Sequence, residues 1–200
     1  MAAPAEIEQF FTALDMEVTR RTGSNQLDIL VNNAGIASPA SYREMTAAQF
    51  DHLFAVNVRG AFLMTQAAIP RMRRGGRIIN ISSLASRHAA PSPMVPPYSM
   101  TKAALDAFTL GPAQDLGPLN IIANVIAPGA VETDINSQSL NKPEIRQGIE
   151  EQTALRRISE VKDIAELARF LASSKASGLP DSTSAPAAAF VCKIVAQLAP

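Results

Sequence analysis

Apolar residues recur at helical spacing near the start of the chain. The intervals between them are three, four and seven positions, so the side chains share one helical face. These residues are Ile7, Phe10, Phe11, Leu14 and Val18. The pattern predicts a helix over residues 4–22, and Gly23 is suited to end it because glycine readily adopts the left-handed conformation of a helix cap.

Three short apolar runs follow, separated by stretches with a helical pattern. They lie in "LDILVNNAG", in "GRIINISS" (residues 76–83) and in "NIIANVIAPG" (residues 120–129). Runs of this kind are typical of parallel strands buried on both faces. Alternation of strand and helix implies parallel crossovers, so the sequence predicts an α/β fold with a doubly wound parallel sheet.

The intervals between these runs contain recognisable helix signals. Thr46 is a candidate cap for a helix carrying Phe50, Leu53 and Phe54. A second helix is predicted over residues 58–72. It would place three arginines at its carboxyl end, where cations are favoured, and this interpretation is preferred to a phosphate or nucleic-acid site. The three are Arg71, Arg73 and Arg74.

The carboxyl-terminal third is less regular. Residues 130–148 are too polar for a core and predict a loop with one short helix. Ser159 is a candidate cap for a last helix containing Ile164, Leu167 and Leu171. Beyond Ser173 the composition changes to Ala, Ser and Pro, so we expect one α/β domain over residues 1–173 and an atypical tail over residues 174–200.

Composition narrows the class of protein. The 200 residues are 47% apolar with a formal net charge of zero, which suits one globular domain and argues against nucleic-acid binding. A single cysteine, Cys192, excludes an internal disulfide and a cysteine metal cluster. No window reaches the roughly 18 apolar residues of a membrane span, and the start lacks signal-peptide features, so we expect a cytoplasmic protein that does not bind membranes.

Ligands of open parallel sheets bind beyond the carboxyl ends of the strands, so the residues that follow each apolar run are candidate binding residues. Most of them carry small or amide side chains, which leave room for a flat ligand and offer it hydrogen bonds. The candidates are Asn32, Asn33, Ala34 and Gly35 after the first run, Ser82 and Ser83 after the second, and Pro128, Gly129, Val131 and Thr133 after the third.

Tyr98 and Lys102 are four residues apart in "YSMTK", so they share one helical face. An ammonium near the phenol favours its ionised form, which helps a group of pKa about 10 to exchange protons at neutral pH. A hydroxyl from Ser83 would stabilise a developing alkoxide. In isolation such a pair is more often a surface pair. Ser82 and Ser83 are explained equally well as partners of strand-end amides, and Asn57 as a turn residue. His52 and His88 lack partners at catalytic spacing and are interpreted as structural.

Taken together, "NNAG", "FAVNVRG", "RIINISS", "YSMTK" and "APGAVETD" resemble the short-chain dehydrogenase/reductase family in order and spacing. The resemblance implies a Rossmann-type fold, NAD(P) as cofactor, and hydride transfer between a ketone and a secondary alcohol. It also implies that Tyr98 is the acid/base, that Lys102 is its partner, and that Ser83 orients the substrate. Asn57 would hold a proton-relay water.

The resemblance further implies cofactor contacts. Asn33, Ala34 and Gly35 match the stretch along the cofactor, to which Tyr98 and Lys102 also contribute. Pro128, Gly129, Val131 and Thr133 match the loop beside the nicotinamide. Two copies would associate through the helices around Phe62 and Phe108. No metal is implied.

The sequence also departs from the family pattern. The glycine-rich turn that holds the pyrophosphate is not present, and by comparison with the family the first three strands are missing. We therefore expect an open apolar edge at Ile29 and Val31. The choice between NAD and NADP cannot be read. The family's last strand is replaced by an Ala-, Ser- and Pro-rich segment. An alternative is thus a non-catalytic fragment that lacks tight dinucleotide binding and acts, if at all, by associating with other chains.

Overall fold

A computed structural model describes residues 3–38, 40–41, 43–87, 96–177 and 191–192. Tyr42 and His88 lie outside these residues. The helices are α1 (Pro4–Thr22), α2 (Ala47–Phe54), a π-helical segment (Ala55–Gly60), α3 (Ala61–Ala68), α4 (Pro96–Asp115), α5 (Asp134–Leu140), α6 (Pro143–Gln152) and α7 (Val161–Ala172). The strands are β1 (Leu27–Asn32), β2 (Met72–Ile81), β3 (Ile122–Ile126) and β4 (Val191–Cys192).

The four strands form one parallel sheet in the order β1-β2-β3-β4. Successive side chains of a strand point to opposite faces. Ile78 packs against Ala113 of α4 and against Leu116, which directly follows that helix, whereas Ile79 packs against Leu171 of α7. Helices therefore cover both faces, with α7 opposite α4, and the predicted α/β, doubly wound class is confirmed.

Helix α1 has the predicted bounds. Gly23 ends it with a φ of 78°. Ile7 and Phe11 are buried against α3. The Arg71 guanidinium lies 4.8 Å from the centre of the Phe11 ring, and its Nη2 is 2.6 Å from the Asp15 carboxylate. An apolar face and one half-buried ion pair thus hold α1 to the rest of the domain.

The prediction that all three arginines end a helix is wrong for two of them. Helix α3 gives way to a single 3-10 turn over Ile69–Arg71, and β2 begins at Met72, which pairs with Leu27. Arg73 and Arg74 therefore lie in β2, and Arg73 is 3.3 Å from the Asp28 carboxylate. Pro70 has no N–H to donate and therefore limits the helix here. The proline is visible in the sequence, but the arginines after it favoured a longer helix.

Strand β1 lies at the edge of the sheet within the described residues. Ile29 and Val31 are 46% and 45% exposed, so the expectation of an open apolar edge is met. The expectation that this strand is buried on both faces is wrong. Burial of a strand requires other elements packed against it, and the apolar run alone does not show whether they are present.

Two helices, α5 and α6, occupy the region for which one short helix was predicted. The cap of α7 is Glu160 rather than Ser159, because the Asp163 carboxylate accepts the Glu160 N–H at 3.0 Å. Ser159 instead forms a parallel bridge with Val131. The cap at Thr46 is confirmed, with Gln49 as its reciprocal partner.

The segment from 174 to 200 supplies a strand to the sheet. Val191–Cys192 pair in parallel with Val125 and Ile126 of β3. The segment expected to replace the family's last strand, residues 178–190, lies outside the described residues, and β4 directly follows it. Composition alone did not reveal the strand, because it is only two residues long.

Replacing Phe11 by Ala tests the docking of α1. We expect Phe11→Ala to lower the free energy of unfolding by about 3–5 kcal/mol, because it removes a fully buried ring. The neighbouring Phe10 is 38% exposed and provides a matched control. Phe10→Ala should cost about 1 kcal/mol or less. Urea unfolding followed by circular dichroism measures both, and equal losses would contradict this account of the interface.

Candidate active site

Hydrogen bonds beyond the carboxyl ends of β2 and β3 join these ends to each other. The Ser82 N–H donates to the Ile126 carbonyl and the Leu84 N–H to the Pro128 carbonyl, both at 2.7 Å. The Ser82 hydroxyl donates to the carbonyl of Lys102 at 3.0 Å. The first turns of α4 are therefore attached to the edge of the sheet where the candidate residues were expected.

Lys102 is buried at the end of β2. Its side chain is 4% exposed, and Nζ donates to the Ile81 carbonyl at 2.8 Å. Nζ lies 5.6 Å from the centre of the Tyr98 ring. Burial lowers the pKa of Lys102 to about 8, and the negative charge of Asp106 opposes this decrease. The predicted Tyr98 and Lys102 pair is thus assembled, with the ammonium anchored on the strand.

The pKa of Tyr98 is raised above its usual value, principally because the phenol is buried. A hydrogen bond with Ser83 lowers the pKa and partly offsets the burial. The net shift of the pKa is thus upward, and the effect of Lys102 on the phenol remains a prediction. Loss of hydration disfavours the phenolate more than the neighbouring groups favour it.

Asn57 is fully buried in the π-helical segment, not in a turn. Its Oδ1 accepts the Ile36 N–H at 2.8 Å, and its Nδ2 donates to the Ile36 carbonyl at 2.8 Å. Nδ2 also donates to Thr101 Oγ1 at 3.0 Å. Both amide hydrogens are therefore engaged by protein atoms. The role of Asn57 in holding a water remains a prediction.

Gly35 lies tightly between the two groups just described. A Cβ at this position would be 3.3 Å from Lys102 Nζ and 3.5 Å from Asn57 Oδ1. Asn33 and Ala34, which precede it, are exposed. The segment Asn33–Gly35 thus lies beside the buried lysine and leaves an open surface at the end of β1.

The loop after β3 contributes a third side. Pro128 is buried and Gly129 half-buried, and the Pro128 carbonyl holds the turn that follows Ser83. Further along, the Val131 carbonyl accepts bonds from Asn136 Nδ2 at 2.9 Å and from Thr133 Oγ1 at 3.4 Å. Val131 and Thr133 are therefore fastened to α5, and their roles beside a nicotinamide remain predictions.

Three residues of this site had no role assigned from the sequence, and two of them, Thr101 and Asp106, were not among its candidates. Ser82 bonds the helix that carries Tyr98, and Thr101 lies on that helix. The third is Asp106, whose Oδ2 accepts the Ser86 hydroxyl at 2.7 Å and lies 3.4 Å from Arg87 Nε. Asp106 is four residues beyond Lys102, so extending the spacing from Tyr98 by one more turn would have identified it.

No helix among the described residues has the length and apolar character that crossing a membrane requires. No group of three or more histidine, cysteine or acidic side chains in that part of the chain is placed to bind a metal ion.

Comparison with known proteins agrees with this geometry. A family model described as enoyl-(acyl carrier protein) reductase matches residues 2–182. An uncharacterized oxidoreductase of Methylorubrum extorquens is 37% identical over 88% of this chain and 71% of its own length. The 3-oxoacyl-(acyl-carrier-protein) reductase FabG of Aquifex aeolicus is 38% identical over 76% of this chain and 60% of its own length.

Solved structures give the same result. The crystal structure of the angucycline C-6 ketoreductase LanV with bound NADP superposes with a TM-score of 0.81 and 35% identity, covering 89% of this chain and 68% of that one. The chain belongs to the short-chain dehydrogenase/reductase family. It spans between 57% and 71% of the length of the curated relatives that it matches.

The lowered pKa of Lys102 makes stability depend on pH. Between pH 8 and 10.5 the folded chain has released a proton that the unfolded chain still binds, so the free energy of unfolding rises with pH. We expect the wild type to gain up to about 3 kcal/mol relative to Lys102→Met across this window. Lys162→Met, at an exposed lysine, is the control. Urea unfolding at several pH values measures the difference, and parallel pH profiles of the wild type and Lys102→Met would contradict it.

Proposed function

We propose that this chain is an NAD(P)-dependent oxidoreductase of the short-chain type that interconverts a ketone and a secondary alcohol, with Tyr98 as the acid/base. The principal supporting observation is the largely buried Tyr98 phenol, which has the Lys102 ammonium 5.6 Å from the centre of its ring and a pKa that Ser83 lowers. Relatives that are named as ketoreductases and as a cyclopentanol dehydrogenase support the reaction class.

In the direction of reduction, the Tyr98 phenol donates its proton to the ketone oxygen. Its pKa is raised, so the phenol is protonated at neutral pH but is a weaker acid than an exposed tyrosine. The phenolate that remains is stabilised by the Ser83 hydrogen bond and by the positive charge of Lys102. In the direction of oxidation, the phenolate takes the proton of the alcohol.

The residues at the strand ends fit the nicotinamide half of a dinucleotide. Gly35 allows a close approach of the backbone to Lys102, and exposed Asn33 and Ala34 leave an open surface beside it. Asn33–Gly35, Tyr98, Lys102 and the loop from Pro128 through Gly129 and Val131 to Thr133 would hold this half. When bound, the nicotinamide supplies or accepts the hydride. The described residues include no glycine-rich turn for the pyrophosphate, so the fit concerns the nicotinamide half.

Substrate and association are further parts of the proposal. We infer a small-molecule ketone or secondary alcohol, the class common to the named relatives, and Asn57 and Ser83 as groups that organise its site. Phe62 on α3 is 48% exposed and lies 5.7 Å from Phe108 on α4, measured between ring centres. This half-exposed aromatic pair supports association of two copies through these helices.

Nucleotide binding separates the enzyme from its alternative, a chain that keeps the site residues but binds dinucleotide weakly. The purified chain is titrated with NADH and NADPH while the nicotinamide fluorescence is followed. Saturation with either nucleotide supports the enzyme and identifies the preferred one. A flat signal up to about millimolar concentration, where binding free energy falls to about −4 kcal/mol, would favour the alternative.

Tyr98→Phe tests the acid/base assignment. We expect it to lower kcat for reduction of cyclopentanone and other ketones by at least about a hundredfold, because the proton donor is removed while the ring remains. Nucleotide binding should persist. Gln114→Ala, at an exposed position of the same helix, should leave kcat unchanged. Equal turnover by Tyr98→Phe and the wild type would remove Tyr98 from this role.

A further inference from the structure

Helix α4 carries two threonines, Thr101 and Thr109, whose side chains have no exposed surface. They are eight residues apart and therefore lie on the same face of the helix. The Thr101 hydroxyl donates to the Tyr98 carbonyl at 2.7 Å, and the Thr109 hydroxyl donates to the Leu105 carbonyl at 2.8 Å. The two hydroxyls thus make equivalent bonds within the helix.

Each hydroxyl also accepts a bond from a buried asparagine. Asn57 Nδ2 donates to Thr101 Oγ1 at 3.0 Å, and Asn80 Nδ2 donates to Thr109 Oγ1 at 2.9 Å. Asn57 and Asn80 have no exposed surface either. The two threonine–asparagine pairs therefore match in burial, in hydrogen-bond pattern and in distance.

The pairs differ in what the asparagine holds at its other end. The Asn80 Oδ1 accepts a bond from Asn32, so this pair connects α4 to the interior of the sheet. Asn57 makes two hydrogen bonds with the backbone of Ile36, which directly follows the segment Asn33–Gly35. The Asn57–Thr101 pair therefore ends on the backbone of the loop that contains the candidate cofactor segment, whereas the Asn80–Thr109 pair ends on a buried side chain of β1, the residue before Asn33.

A continuous set of hydrogen bonds results. It runs from the Ile36 backbone through the Asn57 amide and the Thr101 hydroxyl to the Tyr98 carbonyl, with distances between 2.7 and 3.0 Å. Each of these groups is bonded to its neighbour at good geometry. Of the two side chains on this path, Asn57 is one of the four proposed catalytic groups and Thr101 is not.

We propose that Thr101 is a positioning residue, whose hydroxyl holds the first turn of α4, and with it the phenol of Tyr98, at a fixed distance from the segment Asn33–Gly35. The proposal rests on the proposed function of this site. Displacement of a reacting group by about 1 Å can cost roughly a hundredfold in rate, so loss of the Thr101 hydroxyl should lower the rate. Loss of the Thr109 hydroxyl, two turns away, should leave the rate unchanged.

The kinetic test compares Thr101→Val, Thr101→Ser and Thr109→Val. Valine keeps the volume of threonine and removes the hydroxyl, whereas serine keeps the hydroxyl. We expect Thr101→Val to lower kcat about tenfold or more with KM changed less than about threefold, because positioning acts on the reacting geometry. Thr101→Ser should restore kcat. Thr109→Val should lose a similar amount of stability and retain kcat.

A second readout does not depend on turnover. The chain has two tyrosines and no tryptophan, so in a Tyr42→Phe background the absorbance change on ionisation reports Tyr98 alone. Burial is the main cause of the raised pKa of Tyr98. A first turn released from Asn57 exposes the phenol, so we expect the titration midpoint of Thr101→Val to fall below those of Thr101→Ser and Thr109→Val, which should coincide.

The outcomes separate this proposal from the function on which it rests. If the wild type shows no turnover, the function fails and the absorbance titration still decides the role of Thr101. Equal midpoints in Thr101→Val and Thr109→Val would overturn the positioning role, as would equal kcat values in an active protein. If Thr101→Val does not fold, Thr101→Ala is compared with Thr109→Ala, and the same outcomes apply.

Discussion

Burial of the Lys102 ammonium against the last carbonyl of β2 is the interaction on which the site depends. Nζ is held 2.8 Å from the Ile81 carbonyl, under the Tyr98 ring and beside Gly35. A buried ammonium is costly unless it has partners, so the surrounding structure has to supply them. The strand end provides the acceptor, the charge of Asp106 favours the protonated form, and a glycine leaves the necessary space.

Buried amides and hydroxyls then fix the elements around this lysine. Asn32 donates to Thr65 of α3 and to Asn80 of β2, and Asn80 in turn donates to Thr109 of α4. Hydrogen bonds of this kind have directions and lengths that apolar contacts lack, and an unpaired member would be penalised in the interior. The apolar clusters around Ile78 and Ile79 provide the burial, and the amides select one alignment of helices and sheet.

Local signals determined most elements. The α1 bounds, the Thr46 cap and all three long strands followed from short-range patterns, because capping and hydrophobic periodicity act within a few residues. Failures arose where a distant partner decided the outcome. Arg73 extends β2 because that strand pairs with β1, and β4 exists because two residues reach β3. Such pairings cannot be predicted from about ten neighbouring residues, because the partner strand is distant in the chain.

The candidate site divides in the same way. The sequence by itself determined which residue types follow each strand and that Tyr98 and Lys102 share a helical face, because these depend on order and spacing alone. Only the tertiary structure decided that Nζ binds the Ile81 carbonyl, that the pKa of Tyr98 is raised, and that Thr101 joins Asn57 to the active helix. The physical reason is that desolvation and buried hydrogen bonds depend on groups that only folding brings together.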